Sequence, residues 1–372
     1  MLLAGCAATA TDDLVTSAQT SDSSTTATTE STSSTTWSDS SADIDWSALP
    51  TTDVTLTDDG LAITEAGTYV LTGTTSGQVT VNTDGNVRII LNGATIDSTV
   101  GAAIQVDNAE LTVIELATGT TNSVSDATTR SDEEIDGVIY SADDLYLTGD
   151  GALTVTANFA DGIVGKDDLS ILSGTIAVTS VDDGIRGTDS LTVVGGQITV
   201  DAAGDGLKST NTTDVGEGRL TVSGGQLTIT TGDDAIKAEQ SLSITGGTID
   251  ITESVEGIEA PVIAIEGGEI SMVASDDGIN AAVSDIVTSG LAITISGGTI
   301  DIAMGSGDTD AIDSNGDVTI SGGTIAITGQ SGQSGVDFDG TGTLSGGTVT
   351  VNGTQVTELT GQMMGGGGGG RP

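Results

Sequence analysis

Apolar and polar residues alternate along most of the chain in short runs that end at glycine. In the segment LTVSGGQLTITTGDDAIKA, residues 220–238, Leu227 and Ile229 flank Thr228, and an acidic turn follows. Alternation of this kind predicts strands with one face in the interior and the other in solvent. The template is therefore a strand, a Gly-Gly turn, a second strand, an acidic turn and a short strand of the form Asp-Gly-Ile-x.

Copies of this template recur through the chain, as in LTVVGGQITVDAAGDGLKS at 191–209 and LSITGGTIDITESVEGIEA at 242–260. The usual interval is near 22 residues, which accommodates three short strands and three turns. We therefore predict an all-β fold, a single-stranded right-handed parallel β-helix (a solenoid) with about three short strands per coil. Longer intervals predict loops at 211–218 and 282–290. The acid that precedes the Gly or Ala of the short strand falls at Asp136, Asp161, Asp183, Asp205, Asp234, Glu256, Asp277 and Asp310.

A glycine pair opens the second strand of most copies. We expect these pairs to supply the positive φ of a tight corner, because a phosphate-binding loop would be followed by a helix and none is predicted. The pairs begin at Gly195, Gly224, Gly246, Gly267, Gly297, Gly322 and Gly346.

Charge and composition exclude several functions. The chain has 54 acidic residues, 8 basic residues and no histidine, for a net charge of −46. Nucleic acid is excluded as a partner because phosphate binding needs a basic face. The lack of histidine excludes histidine-based catalysis and the usual zinc sites, and the single Cys6 excludes an internal disulfide. The chemistry therefore depends on carboxylates, hydroxyls, lysine and arginine.

The two ends of the chain differ in composition from the repeats. Residues 1–6, MLLAGC, resemble the end of a bacterial lipobox from which most of the signal is missing, so Cys6 is the predicted lipidation site. Residues 7–42 are a predicted disordered Ser/Thr-rich linker, 43–360 the β-helix, and 361–372 a disordered Gly-rich tail. These features predict a bacterial cell-surface lipoprotein, extracellular and monomeric, whose contact with the membrane is the lipid anchor at Cys6.

Acids at equivalent positions of stacked coils should lie close together. Neighbouring parallel strands are about 4.8 Å apart, so stacked carboxylates repel one another unless cations lie between them. Calcium, which takes oxygen ligands, is the predicted ion. The alternative is that these acids only end turns by bonding to their own backbone. The predicted calcium ligands are Asp161, Asp182, Asp183, Asp205, Asp233, Asp234, Glu256, Asp276 and Asp277.

Basic residues cluster in one part of the repeats. Position x of the short strand holds Arg186, Lys208 and Lys237 in three successive copies, and Lys166 lies near the copy before. One interpretation is a cationic strip that binds a polymer of uronic acids through its carboxylates. The alternative is local neutralisation of the acidic column.

The repeated SGGTIxI and DDGIxA segments, the Ser/Thr-rich linker and the glycine-rich tail together resemble the polysaccharide-lyase-like right-handed β-helix family of bacterial carbohydrate-binding proteins. The resemblance covers residues 51–358. It implies binding of acidic polysaccharide such as polygalacturonate, with cellulose as a further candidate, and calcium held on the helix without lyase activity. The low number of aromatic residues argues against stacking on crystalline cellulose.

Three functions remain open from the sequence. The first is a non-catalytic binder of acidic polysaccharide that uses calcium. The second is a calcium-dependent pectate-type lyase in which Arg186, Lys208 or Lys237 acts as the base. The third is a structural or adhesive cell-surface protein.

Overall fold

The structure is a computed structural model, and it describes residues 44–305, 310–329 and 335–360. The predicted lipidation site Cys6, the predicted linker at 7–42 and the predicted tail at 361–372 lie outside these residues. The described residues all belong to one compact unit, Ser41–Pro372. The helical segment among them is a single 3-10 turn, Trp46–Ala48. None of the helical structure described has the length and apolar character needed to cross a membrane.

The described residues form parallel ladders in which each strand pairs with its counterpart one repeat later. The short Asp-Gly-Ile-x strands and the equivalent strands of the first repeats make ladder 1. Its strands are β2 (Leu61–Ile63), β4 (Val79–Asn82), β6 (Ile104–Asn108), β9 (Gly137–Ser141), β12 (Asp161–Gly165), β15 (Ile185–Gly187), β18 (Leu207–Ser209), β21 (Ile236–Ala238), β24 (Ile258–Glu259), β27 (Ile279–Ala281) and β30 (Ile312–Ser314).

Two further ladders share one large sheet, which begins with the strands β1 (Thr51–Leu56), β3 (Gly67–Thr75) and β5 (Val87–Asp97). Ladder 2 continues from the first part of β5. It contains β7 (Thr112–Leu116), β10 (Leu145–Gly149), β13 (Asp168–Ile171), β16 (Ser190–Val193), β19 (Arg219–Val222), β22 (Ser241–Ile244), β25 (Val262–Ile265), β28 (Ala292–Ile295), β31 (Asp317–Ile320) and β33 (Gly342–Leu344).

Ladder 3 continues from the last part of β5. It contains β8 (Thr121–Ser125), β11 (Ala152–Thr156), β14 (Thr175–Ser180), β17 (Gln197–Ala202), β20 (Gln226–Thr231), β23 (Thr248–Ser254), β26 (Glu269–Ala274), β29 (Thr299–Met304), β32 (Thr324–Thr328) and β34 (Thr348–Val351). A last strand, β35 (Thr354–Val356), pairs antiparallel with β34, so the large sheet is mixed. The all-β prediction is confirmed.

Columns of buried aliphatic side chains hold the ladders together. In β20, Leu227 and Ile229 are buried while Thr228 between them is exposed. Leu227 is aligned with Ile198 of the preceding repeat and Ile249 of the following one. Each such side chain contributes about 1.5–3 kcal/mol when it is fully buried. The alternation seen in the sequence therefore places one apolar column per inward position along the stack.

The corner before ladder 3 requires both glycines of the pair. A Cβ atom on Gly224 would lie 2.5 Å from the carbonyl oxygen of Val194 in the preceding repeat. Gly225 has a φ of +93°, in the left-handed region that favours glycine. The predicted positive φ is confirmed, and it belongs to the second glycine. The same holds at Gly196, Gly247, Gly268, Gly298, Gly323 and Gly347.

Two longer connections leave the ladders where the repeat interval lengthens. One lies between β18 and β19 and the other between β27 and β28. Both predicted loops are therefore confirmed. They follow ladder 1, so they extend from the side of the stack that carries the Asp-Gly-Ile-x strands.

Candidate functional site

Ladder 1 aligns the x positions of successive repeats into one column, which we call the x column. Its register pairs Arg186 with Lys208 and Lys208 with Lys237. The column then continues through acids and an amide instead of bases. Its later members are Glu259, Asn280 and Asp313, and a bridge between Ile312 and Val336 places Asp337 in the repeat after Asp313.

The acids that precede ladder 1 form a second column, the acid column, beside the x column. Five of these acids bond to the backbone of the next repeat, as where Asp205 Oδ1 accepts the Asp234 N–H at 2.9 Å. These five acids therefore do more than end their own turns, because each of the five also links two repeats. The same bond joins Asp161 to Asp183 (3.1 Å), Asp183 to Asp205 (2.9 Å), Asp234 to Glu256 (3.3 Å) and Asp277 to Asp310 (3.0 Å).

The second carboxylate oxygen of several of these acids contacts a base of the x column. Lys208 Nζ lies 2.7 Å from Asp205 Oδ2 and 3.2 Å from Asp183 Oδ2. Lys237 Nζ lies 2.7 Å from Asp234 Oδ2 and also contacts Glu259. These contacts fit local neutralisation, the alternative to a strip of cations available to a ligand.

Arg186 reaches further along the stack than either lysine. It donates to Asp161 at 2.8 Å and bonds to Asp136 two repeats earlier. It also lies 3.9 Å from Asp183 in its own repeat. Lys166 lies apart from this group: it is exposed after β12, whereas Val164 occupies the position in register with Arg186. The structure therefore brings together three of the four predicted cationic residues.

Burial and mutual repulsion raise the pKa of acids in this region. Burial, together with the charges of Glu259 and Asp234, raises the pKa of Glu256 to about 8. Burial also raises the pKa of Asp161 to about 7 against the opposing effect of Arg186. The pKa of Asp234 rises to about 7 through burial and its hydrogen bond with Glu259. Burial and the neighbouring acids therefore make these carboxyls harder to ionise than exposed ones.

The bases of the x column are held in their protonated forms. Burial opposes the charge of Lys208, yet hydrogen bonding to Asp205 and the charges of Asp205 and Asp183 raise its pKa above the ordinary value. Burial opposes the charge of Lys237 too, and bonding to Asp234 and Glu259 raises its pKa. The pKa of Arg186 is raised by Asp161 and Asp136 in the same way. A general base needs a pKa near the working pH, which these residues lack.

Three groups of acids have carboxylate oxygens close enough to share a cation. In each group one oxygen per residue lies within 4.8 Å of the others. Calcium binds oxygens at about 2.3–2.6 Å, so two oxygens about 4.8 Å apart can ligate one ion between them. The carboxylate donors and their spacing therefore fit calcium. The groups are Asp205 with Asp233 and Asp234, Asp234 with Glu256 and Glu259, and Asp310 with Asp313 and Asp337.

The predicted calcium ligands divide between these groups and the rest of the acid column. Asp205, Asp233, Asp234 and Glu256 belong to the groups. Within the ranges that the structure describes, Asp161, Asp182, Asp183, Asp276 and Asp277 do not. Four members were not predicted as ligands: Glu259, Asp310, Asp313 and Asp337. The change of the x column from basic to acidic after Lys237 is the sequence signal that could have identified them.

Comparison with known proteins identifies the family. A family model described as carbohydrate-binding domain-containing protein matches residues 57–308, which include most strands of all three ladders. The chain belongs to this family. A curated relative in Acetivibrio thermocellus, described in the same words, is 38% identical over 124 residues, 31% of this chain. The match spans 43% of that relative's length.

A solved structure is also similar to this carbohydrate-binding domain protein. It is a polysaccharide lyase-like protein from C. thermocellum, determined as a gadolinium derivative. Its sequence is 31% identical and the TM-score is 0.51. The alignment covers 58% of this chain and 92% of that structure.

Proposed function

We propose that this protein is a non-catalytic binder of acidic polysaccharide of the polygalacturonate type, with calcium as the ion between protein and polymer. The observation that carries the proposal is the pair of stacked columns, in which carboxylates recur from Asp136 to Asp310 next to a limited number of internal bases. A polymer of uronic acids also presents a carboxylate at regular intervals. Divalent cations between the carboxylates of the protein and those of the polymer would take ligands from both.

Calcium is needed because protein and polymer carry the same sign of charge. The net charge of the chain is −46, and screening at physiological salt leaves repulsion within about 8 Å. Close contact therefore requires a cation with oxygen ligands from both partners. The solved neighbour was determined as a gadolinium derivative, and gadolinium, like calcium, is a hard cation that takes oxygen ligands. That likeness supports the choice of ion.

The proposed scaffold is a right-handed parallel β-helix. Three ladders, each receiving one strand per repeat in constant chain order, support this architecture. In a β-helix the ladders run along one axis, so the two columns would present a straight face to an extended polymer. Such a face needs no partner subunit, and we propose a monomer.

A lyase on the same scaffold is less well supported. Its base would be Arg186, Lys208 or Lys237, and the acids that contact these side chains raise the pKa of all three. Each would therefore hold its proton at neutral pH. The raised pKa values of these three bases therefore favour binding over lyase catalysis.

Affinity electrophoresis in gels that contain polygalacturonate tests the proposed function. We expect the protein to be retarded when calcium is present and to migrate normally after chelation with EDTA. A neutral polymer such as hydroxyethyl cellulose serves as the matched gel. Equal mobility in the gels with and without polygalacturonate, in the presence of calcium, would contradict the proposal. Incubation with polygalacturonate and calcium tests for lyase activity, because a rise in ultraviolet absorbance from an unsaturated product would favour the lyase.

We further propose attachment at the bacterial surface through a lipid on Cys6, which the MLLAGC segment supports. Expression behind a complete lipoprotein signal, with radioactive palmitate in the medium, tests this. We expect label in the protein and none in the Cys6→Ser variant. Label retained in that variant would exclude Cys6 as the site.

A further inference from the structure

In three successive repeats the x column places a positively charged nitrogen against carboxylates of the acid column. Lys208 Nζ lies between Asp205 and Asp183. Lys237 Nζ lies between Asp234 and Glu259, and the Arg186 guanidinium lies among Asp161, Asp136 and Asp183. The side of the acid column that faces the x column is thus a cation position in these repeats, and the chain itself fills it.

The later repeats keep the acids but lack the bases. No lysine or arginine occurs between Lys237 and Arg371. The x column there presents Glu259, Asn280, Asp313 and Asp337, and three carboxylates of Asp310, Asp313 and Asp337 lie within 4.8 Å of one another. In the described residues after Lys237, the x column therefore holds acids and an amide and no basic side chain.

Asn280 provides an independent observation beside this group. Its side chain is buried, with 8% exposure for the residue. Its Nδ2 donates to both carboxylate oxygens of Glu256 at 3.1 Å. Its Oδ1 is buried and accepts no hydrogen bond from the described residues.

The direction of that oxygen follows from the amide geometry. The nitrogen faces Glu256 in the preceding repeat, so the oxygen is on the other side of the amide. The register partner on that side is Asp313. A buried carbonyl oxygen without a donor is costly, by about 1–3 kcal/mol. A cation beside Asp313 would satisfy it.

We propose that the x column changes along the stack from internal cations to bound metal. Arg186, Lys208 and Lys237 fill the cation position in three repeats. One divalent cation of the calcium class fills it at Asp310, Asp313 and Asp337, with the Asn280 oxygen facing it from the preceding repeat. This inference rests on the calcium of the proposed function and specifies which residues bind it and which repeats exclude it.

If lysine and metal fill the same position in different repeats, two substitutions should change the number of bound calcium ions in opposite directions. Asp313→Asn removes a carboxylate from the metal group, so the variant should bind one calcium fewer than the wild type. Lys237→Gln removes the ammonium that contacts Asp234 and Glu259, which form an acidic group with Glu256, so this variant should bind one calcium more. Asp201→Asn and Lys166→Gln are the matched controls, because they make the same charge changes at exposed positions outside both columns.

Equilibrium dialysis of the full chain against radioactive calcium at 0.15 M salt measures these numbers, and circular dichroism checks the fold of each variant. Asp337→Asn is the second variant for the metal group and should also lose one ion. Unchanged stoichiometry in both Asp313→Asn and Asp337→Asn would overturn the inference. No gain in Lys237→Gln relative to Lys166→Gln would overturn it too. If all variants behave as expected and the wild type fails to bind polygalacturonate, the inference stands and the proposed function is wrong.

Discussion

Asp205 links two repeats and an internal base, so its replacement tests the acid column most directly. Its residue exposure is 2%. Oδ1 accepts the Asp234 N–H at 2.9 Å, and Oδ2 lies 2.7 Å from Lys208 Nζ. Replacement by alanine removes both interactions, whereas replacement by asparagine keeps an oxygen for the backbone N–H and removes the charge.

The expected cost follows from the two interactions. Removal of one partner from a buried ion pair costs about 3–5 kcal/mol. The lower end applies here because Lys208 keeps Asp183 at 3.2 Å. A buried N–H without an acceptor adds about 1–3 kcal/mol. We therefore expect Asp205→Ala to lower the free energy of unfolding by about 4 kcal/mol, and Asp205→Asn by about 1–3 kcal/mol less than that.

Urea unfolding followed by far-ultraviolet circular dichroism, in buffer with EDTA, measures this difference. Asp201→Ala is the matched control, because Asp201 is exposed on β17 and a surface substitution costs within about 0.5 kcal/mol. The reasoning is refuted if Asp205→Ala is no less stable than Asp201→Ala. It is also refuted if the asparagine variant is as unstable as the alanine variant, because the bond to Asp234 would then contribute nothing.

Three further predictions concern pH, the corners and the core. Raised carboxyl pKa values mean that the folded chain binds more protons than the unfolded chain, so the metal-free melting temperature should fall as pH rises from about 4.5 to 8, most through Glu256, Asp161 and Asp234. Calcium should reduce this fall, and a melting temperature that rises over the same range would contradict the assignment. Gly119→Ala should cost about 1–2 kcal/mol for its positive φ alone. Gly224→Ala should cost more, because its Cβ meets the Val194 carbonyl oxygen; equal unfolding midpoints in urea would show that the corner is not tightly packed. Ile229→Ala should lower the free energy of unfolding by about 2–5 kcal/mol, and Thr228→Ala on the same strand should lower it little. A similar loss of stability in both variants would show that the buried face of β20 is assigned wrongly.

Much of the ladder architecture was predictable because it depends on local properties. Alternation of Leu227, Thr228 and Ile229 fixes which side of β20 is buried, since successive side chains point to opposite faces of a strand. Gly225 marks a corner because few other residues adopt its φ. The interval between acids also predicted both loops after ladder 1.

The candidate site was predictable only in part. The sequence placed acids and bases at equivalent positions of successive repeats, and the structure aligns Arg186, Lys208 and Lys237 as that spacing requires. The sequence did not indicate that Lys166 lies outside the x column. Nor did the sequence identify Asp337, whose place in the last acidic group depends on the isolated bridge between Ile312 and Val336.

By itself, then, the sequence determined the repeat, the inward faces and the corners, because polarity and backbone freedom act within a few residues. The tertiary structure alone decided how each carboxylate is used. Arg186 reaches Asp136, 50 residues earlier in the chain, and Asp205 gives one oxygen to the backbone of Asp234 and the other to Lys208. Such choices depend on the register between repeats and on side-chain conformation. They separate the repeats that carry their own cations from those that we propose bind metal.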